Sequence, residues 1–193
     1  MGVAAAQLKA VKQNSLRVID MATLETKRLL LRKFQDSDLD DFAAICADPD
    51  VMRFASITGN PLTRAQAWNW IAMVLGHWEL RGYGLWAVEL RGSGMVIGRI
   101  GIHYPEGWPD LELSWMLGQS YWGQGYATEG ATASLNYAFT KMNFKKVISL
   151  IHPDNVRSIR LAERIGEHFE KEIDMFDHRL LMYSVYQDDW SSA

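Results

Sequence analysis

The chain has 193 residues, 48% of them hydrophobic and 22% charged, with a formal net charge of −3. That is enough apolar material for one domain with a sizeable core, and it excludes disordered and fibrous classes. The acidic balance argues against an electrostatic grip on nucleic acid or anionic lipid, and no run approaches the ~18 apolar residues of a membrane helix.

Residues 1–22 carry no long apolar core and are expected to be a poorly ordered extension ahead of a domain at 23–193. Residues 26–34 (TKRLLLRKF) read as a first strand. Asp36 or Ser37 would then cap a helix reaching about residue 47, which contains the single cysteine, Cys46. One thiol rules out an intramolecular disulfide and a multi-cysteine zinc site. It fits a reducing, cytoplasmic setting and a buried structural role. The chain turns at Pro49, and Thr63 caps a long helix over 64–80, rich in tryptophan.

Three short strands follow at 84–90, 95–103 and 111–117, separated by the turns RGSG and YPEGWP, the pattern of an antiparallel meander. A helix over 125–142, a strand at 146–151, a helix over 155–165 and a closing hairpin of strands at 169–175 and 179–187 complete the chain. There is no internal repeat.

The clearest chemical signal is YWGQGYATEG at 121–130, a glycine-bracketed turn between the strand LELSWML and an apolar helix. A strand, a loop whose glycines let N–H groups point inward, and a helix N-terminus together suit a phosphorylated ligand. The same residues also suit an ordinary strand-to-helix turn.

Four segments in this order, TKRLLLRKF, ELSWML, YWGQGYATEG and NVRSIRLAERIG at 155–166, carry a resemblance to a known family. The chain resembles the GNAT superfamily of N-acetyltransferases, specifically its RimJ/RimL-like branch, which includes enzymes that acetylate N-termini of ribosomal proteins. The resemblance covers about residues 26–186. It implies an α/β fold: a mixed, largely antiparallel sheet of about seven strands with flanking helices, and a strand pair splayed at the cofactor site. It also implies acetyl-CoA as co-substrate, no metal, and direct acetyl transfer to an amine.

The family's phosphate loop, Q/R-x-x-G-x-G/A, aligns on Trp122, Gly125 and Ala127, with Trp122 departing from the pattern. The resemblance implies that Trp122, Gly123, Gln124, Gly125, Tyr126, Ala127 and Thr128 hold the pyrophosphate. It implies that a bulge frees backbone groups of Trp115, Met116 and Leu117 for the pantetheine arm. Asn155 and Ser158 would lie near the pantetheine and the thioester sulfur, although Asn155 reads equally as an N-cap.

An α-amino group with pKa near ~7.7 to 8.0 is mostly protonated at neutral pH, so acetylation calls for a base. Glu112 aligns with the family's acidic residue, and the plain alternative is a solvated or salt-bridged strand residue. His103, ending the preceding strand, is a second candidate base, the plain alternative being a polar rim residue. The tyrosine that many members place seven residues after the asparagine is Ala162 here, which leaves Ser158 or water to protonate the leaving thiolate. His152 would border the cofactor rather than do chemistry, and Glu129 would fix the loop or complement the helix dipole.

The acceptor cleft would be built from the first two helices, residues 54–61 and the final hairpin. The acceptor is expected to be a small molecule or a protein N-terminus, with no nucleic acid or membrane partner and with a homodimer left open. Two alternatives stand: a catalytically silent acetyl-CoA-binding module, and a nicotinamide-dependent oxidoreductase, against which Thr128 occupies the third-glycine position of G-x-G-x-x-G.

Overall fold

A computed structural model describes residues 23–190, and the extension expected at 1–22 lies outside them. In chain order the elements are β1 (Leu24–Glu25), β2 (Leu29–Arg32), a 3-10 turn (Asp36–Asp38), α1 (Leu39–Cys46), α2 (Pro49–Ala55) and α3 (Arg64–Arg81). Then come β3 (Leu85–Leu90), β4 (Val96–His103), β5 (Glu112–Leu117), α4 (Tyr126–Thr140), β6 (Lys146–Ile151), α5 (Val156–Arg164), β7 (His168–Met175) and β8 (His178–Tyr186). The eight strands form one sheet in the order β1-β2-β3-β4-β5-β6-β8-β7. The count exceeds the expected seven because Leu24 and Glu25 pair with Leu31 and Leu30 as a short edge strand.

Two local expectations change. The segment at Pro49 is a helix: Asp48 Oδ1 accepts from the Asp50 N–H at 2.9 Å, and proline, lacking an N–H, suits the first helical position. Asp36 and Ser37 do not cap α1. They begin the 3-10 turn, where Asp38 binds the Gln35 N–H at 2.7 Å and forms a two-pronged ion pair with Arg32. Arg32 also reaches Glu89, and Asp38 first, then Glu89, hold its guanidinium more firmly protonated than usual against the opposing effect of burial. By contrast α3 begins as expected, with Thr63 and Gln66 exchanging bonds in a capping box, and it ends at Gly82 with φ of 75°.

The sheet carries a helical layer on each face. On one face α4 lies against Leu29, Leu31 and Ile100, made possible by Gly130: a Cβ there would stand 2.7 Å from Ile100 Cδ1. On the other, α1 and α3 bring Phe42 and Trp70 into an aromatic cluster with Phe34. Cys46 is buried there, and burial pushes its thiol up to about 11, as suits a structural residue.

Neighbouring strands are antiparallel except β5 and β6, which are parallel and share a single registered pair, Glu112 with Ile148. Beyond it the two strands diverge. The expected bulge is not the cause, because β5 keeps unbroken register with β4 from Glu112–His103 to Leu117–Gly98. The splay lies entirely between β5 and β6.

Candidate active site at the splayed strands

The ladder between β4 and β5 decides which backbone groups face the gap. Gly118 N donates to Ile97 O at 2.9 Å, and alternation of the antiparallel pattern then turns the amides of Met116, Ser114 and Glu112 toward β4. Those of Leu113, Trp115 and Leu117 turn toward the gap. Of the three residues expected to offer main-chain groups there, Trp115 and Leu117 do, whereas Met116 is committed to Arg99. The Leu117 carbonyl accepts from Trp122 Nε1 at 2.8 Å, so Trp122 clamps the end of β5 to the loop.

That loop has the conformation its glycines promised. Gly123 and Gly125 have φ of 73° and 80°, and Gly125 is the N-cap of α4 without a capping side chain. The first N–H groups of α4, from Tyr126, Ala127 and Thr128, are therefore presented at an uncapped helix start with positive partial charge.

Glu129, in the first turn of α4, anchors the loop to the β1–β2 turn, accepting from Thr26 Oγ1 at 2.6 Å, Arg28 N at 2.8 Å and Arg28 Nε at 2.6 Å. Burial works to raise its pKa, but the bonds from Thr26 and Arg28 prevail and hold it below the usual carboxylate range. Arg28 also donates to the Gln124 carbonyl at 2.9 Å and lies 4.3 Å over the Tyr126 ring. Arg157, in the first turn of α5, sits 4.5 Å over Trp122 and adds a positive charge beside the loop. The N-x-x-S motif contains it, but only the fold brings it to Trp122.

Across the gap, Asn155 caps α5 by accepting from Ser158 N at 3.2 Å. Ser158 Oγ accepts from Trp115 Nε1 at 3.1 Å, which leaves its own hydrogen free to donate elsewhere. Ala162, the position where the resemblance implied a tyrosine in many members, is fully buried in a small cluster with Ile151 and Tyr183.

At the start of β5, Glu112 is buried, and His103 Nε2 donates to its Oε2 at 2.8 Å. Trp108 Nε1 donates to the same oxygen in a short bond. Glu112 is thus neither solvated nor lone, and the two candidate bases form one unit. His77 stands behind it. Tyr104 N donates to His77 Nε2 at 3.1 Å, so His77 Nδ1 carries the hydrogen shared with Tyr83 O at 2.8 Å. Burial, with some help from nearby His103, lowers the pKa of His77, so it stays neutral.

The other expected parts of the cleft meet above this unit. Trp108 packs on Phe176 of the β7–β8 turn with ring centroids 5.4 Å apart, and His178 Nε2 donates to Ile57 O at 2.9 Å. His152 stacks on Phe54 at 5.4 Å, toward this rim.

Behind the splay lies a polar cluster that the sequence did not announce. Ser149 Oγ, on β6, is 2.9 Å from both Leu113 O and Glu167 Oε1. One hydroxyl hydrogen cannot serve both acceptors, but a protonated Glu167 donates to Ser149, which then donates to Leu113. Burial pushes Glu167 up to about 8, in agreement with that arrangement.

A strand pair open at one end, a glycine loop leading into an uncapped helix, and a buried carboxylate at the mouth of the gap describe an acyl-transfer α/β fold. The family model described as "Acetyltransferase (GNAT) domain" matches residues 28–168, and the chain belongs to this family of acetyltransferases. YkkB of Bacillus subtilis, an uncharacterized protein, is 35% identical over 168 residues, covering 83% of this chain and 93% of its own. A GNAT acetyltransferase structure from Bacillus anthracis superposes with a TM-score of 0.74 at 27% identity, covering 86% of this chain and 99% of that one. The ribosomal-protein-S5-alanine acetyltransferase of Vibrio fischeri shares the fold, with a TM-score of 0.68 at 15% identity over 88% of this chain and 98% of its own.

The oxidoreductase alternative lacks its frame, since the strand before the loop is antiparallel to its predecessor and, among the described residues, no βαβ unit precedes α4. Among the described residues no cluster of three His, Cys, Asp or Glu could hold a metal, and no helix is long and apolar enough to cross a membrane.

Proposed function

We propose that the chain transfers acetyl from acetyl-CoA directly to a primary amine, on a small molecule or a protein N-terminus, as in the RimJ/RimL-like branch. The observation that carries this reading is the single β5–β6 pair at Glu112–Ile148, beyond which the gap opens between the uncapped start of α4 and Ser158.

The residues present fit the co-substrate. Main-chain groups of Gly123 to Thr128 bind the pyrophosphate, with Arg157 close by. The gap-facing groups of Trp115 and Leu117 pair with the pantetheine amides, and Asn155 orients the first turn of α5. Met116, whose main chain pairs with Arg99, offers no group to the pantetheine. Acetyl-CoA supplies an acyl group already activated as a thioester.

At the acceptor end, Glu112 removes the proton from the ammonium form of the amine. The hydrogen bonds from His103 and Trp108 both end on Oε2, which leaves Oε1 to take the proton. His103 and Trp108 hold the carboxylate in place. On the thiol side, the Ser158 hydroxyl, oriented by the Trp115 indole, donates a hydrogen bond to the departing thiolate, and the proton that the acylated nitrogen loses ends on the sulfur. A thiol with pKa near ~8.5 needs only modest help, so Glu112 matters more than Ser158.

The test is thiol release by the full chain with acetyl-CoA and a panel of amines and N-terminal peptides. Glu112→Gln is expected to lower kcat ~10-fold or more with acetyl-CoA affinity unchanged, and Ser158→Ala to lower it by up to ~10-fold. A larger loss from His103→Gln than from Glu112→Gln would move the base to the histidine. Binding of acetyl-CoA without thiol release toward any amine would favour the silent module, and no binding would end the reading.

A further inference from the structure

Arg99 is the one charged residue in β4, between Gly98 and Ile100, and it is only 7% exposed. Its partner across the ladder is Met116, which places it on the same sheet face as the His103–Glu112 pair. Nη1 donates to Ser114 Oγ at 2.9 Å, and the guanidinium lies 4.8 Å from the centroid of the Trp70 ring.

What the guanidinium lacks is a counter-ion. Arg32 has Asp38 and Glu89, and Arg28 has Glu129, whereas no carboxylate among the described residues lies within 4.0 Å of Arg99. Burial pushes its pKa down to about 10, only partly offset by Glu112 at longer range, so it remains charged at neutral pH. Nε and Nη2 have no protein acceptor among the described residues. They are not sealed in either, since Glu167 Oε2 is the only fully buried side-chain polar atom there without a partner. Two N–H groups of a buried cation therefore face space that a ligand atom can enter.

A buried charge left unpaired is costly, and the planar fork of arginine matches an oxyanion in two parallel hydrogen bonds. Acetyl-CoA's phosphates are assigned above to the start of α4, and that helix packs on the opposite face of the sheet, against Leu29, Leu31 and Ile100. Ser114, which Arg99 touches, is two residues from Glu112 on the same face, about 7 Å along the strand.

Resting on the acetyltransferase reading above, we propose that the acceptor carries an anionic group, a carboxylate or a phosphate-like oxyanion, which Arg99 and Ser114 bind about 7 Å from the amine presented to Glu112. Arg99 then selects the acceptor without touching the reacting atoms.

The test compares glycylglycine, glycylglycinamide and the phosphonate analogue of glycylglycine at saturating acetyl-CoA. Wild-type kcat/KM is expected to be ~10-fold or more higher for an anionic acceptor than for the amide, and the better of carboxylate and phosphonate identifies the anion. Arg99→Met should bring that ratio close to one, while the exposed Arg64→Met keeps it. Circular dichroism establishes that the variant is folded, and Arg99→Lys, which keeps charge but loses the fork, replaces it if it is not. Equal rates on acid and amide in the wild type, or a ratio that survives in the folded variant, would overturn the proposal. If no amine is acetylated the acetyl-transfer reading fails, and calorimetry then decides on Arg99 separately. Binding of glycylglycine but not its amide, lost in Arg99→Met, upholds the anion site, and its absence refutes it.

Discussion

Glu167 illustrates how far one buried carboxyl can shape the behaviour of the chain. Its pKa is raised to about 8 in the folded protein, against ~4.3 for an unfolded glutamate. Between these values the native state holds a proton that the unfolded state has lost, so stability falls as pH rises across that window and levels off above it. The slope is ~1.4 kcal/mol per pH unit from this group alone. Glu167→Gln keeps the hydrogen bond to Ser149 without the titration, so thermal melts should show it more stable than wild type at pH 8 and nearly equal at pH 4.5. Equal differences at both pH values would mean that Glu167 is ionised in the fold. At this scale the sequence showed the candidates and not their partners. Glu112 and His103 flank one short turn, so their meeting was foreseeable. Arg99 is the one formal charge in VIGRIGIH, yet nothing in that run marks it as functional, because its lack of a counter-ion depends on which helices cover that face. Met116 turned away from the gap because the phase of a ladder's hydrogen bonds is set by pairing, which residue types do not encode.

Among the elements, β4 and the glycine loop show why small residues stand where they do. A Cβ on Gly98 would lie 2.1 Å from Met116 O and 2.8 Å from Leu117 Cα, both backbone atoms of the strand that lines the gap. Gly98→Ala should therefore push β5 off β4 and lower the melting temperature by roughly 4 to 8 °C or more, on the order of 2 kcal/mol or above. An unchanged melt would show that the two strands are not held this closely. Gly125→Val acts differently. At φ of 80° a branched residue is strained by roughly 1 to 2 kcal/mol, and its Cβ would press on Arg28 Nη2 at 3.4 Å. Calorimetry should find a folded variant that binds acetyl-CoA at least ~10-fold more weakly. Strand and helix periods were legible enough that β6 appears at the predicted residues. Helix α2 was missed because aspartate followed by proline marks a turn as readily as it marks a helix start, and only the Asp48–Asp50 bond separates the two.

Taken whole, the molecule is two half-sheets, β1 to β5 and β6 to β8, meeting along one strand pair that closes at one end and opens at the other. Along β5, the Glu112–Ile148 pair, Ser149 to Leu113 and Trp115 to Ser158 tie the halves together, and the Ile57–His178 and Trp108–Phe176 contacts join them at the rim. The same arrangement leaves a signature in how the backbone trades hydrogen for deuterium. Along β5, the amides of Ser114 and Met116 are locked into β4, while those of Trp115 and Leu117 open on the gap. Protection in the free protein should therefore alternate from one residue to the next, slow at 114 and 116 and faster at 115 and 117. Residue-resolved exchange by NMR would read it directly. Acetyl-CoA should erase the alternation by slowing the two fast amides, turning a half-paired strand into one satisfied on both edges by a partner that is not protein.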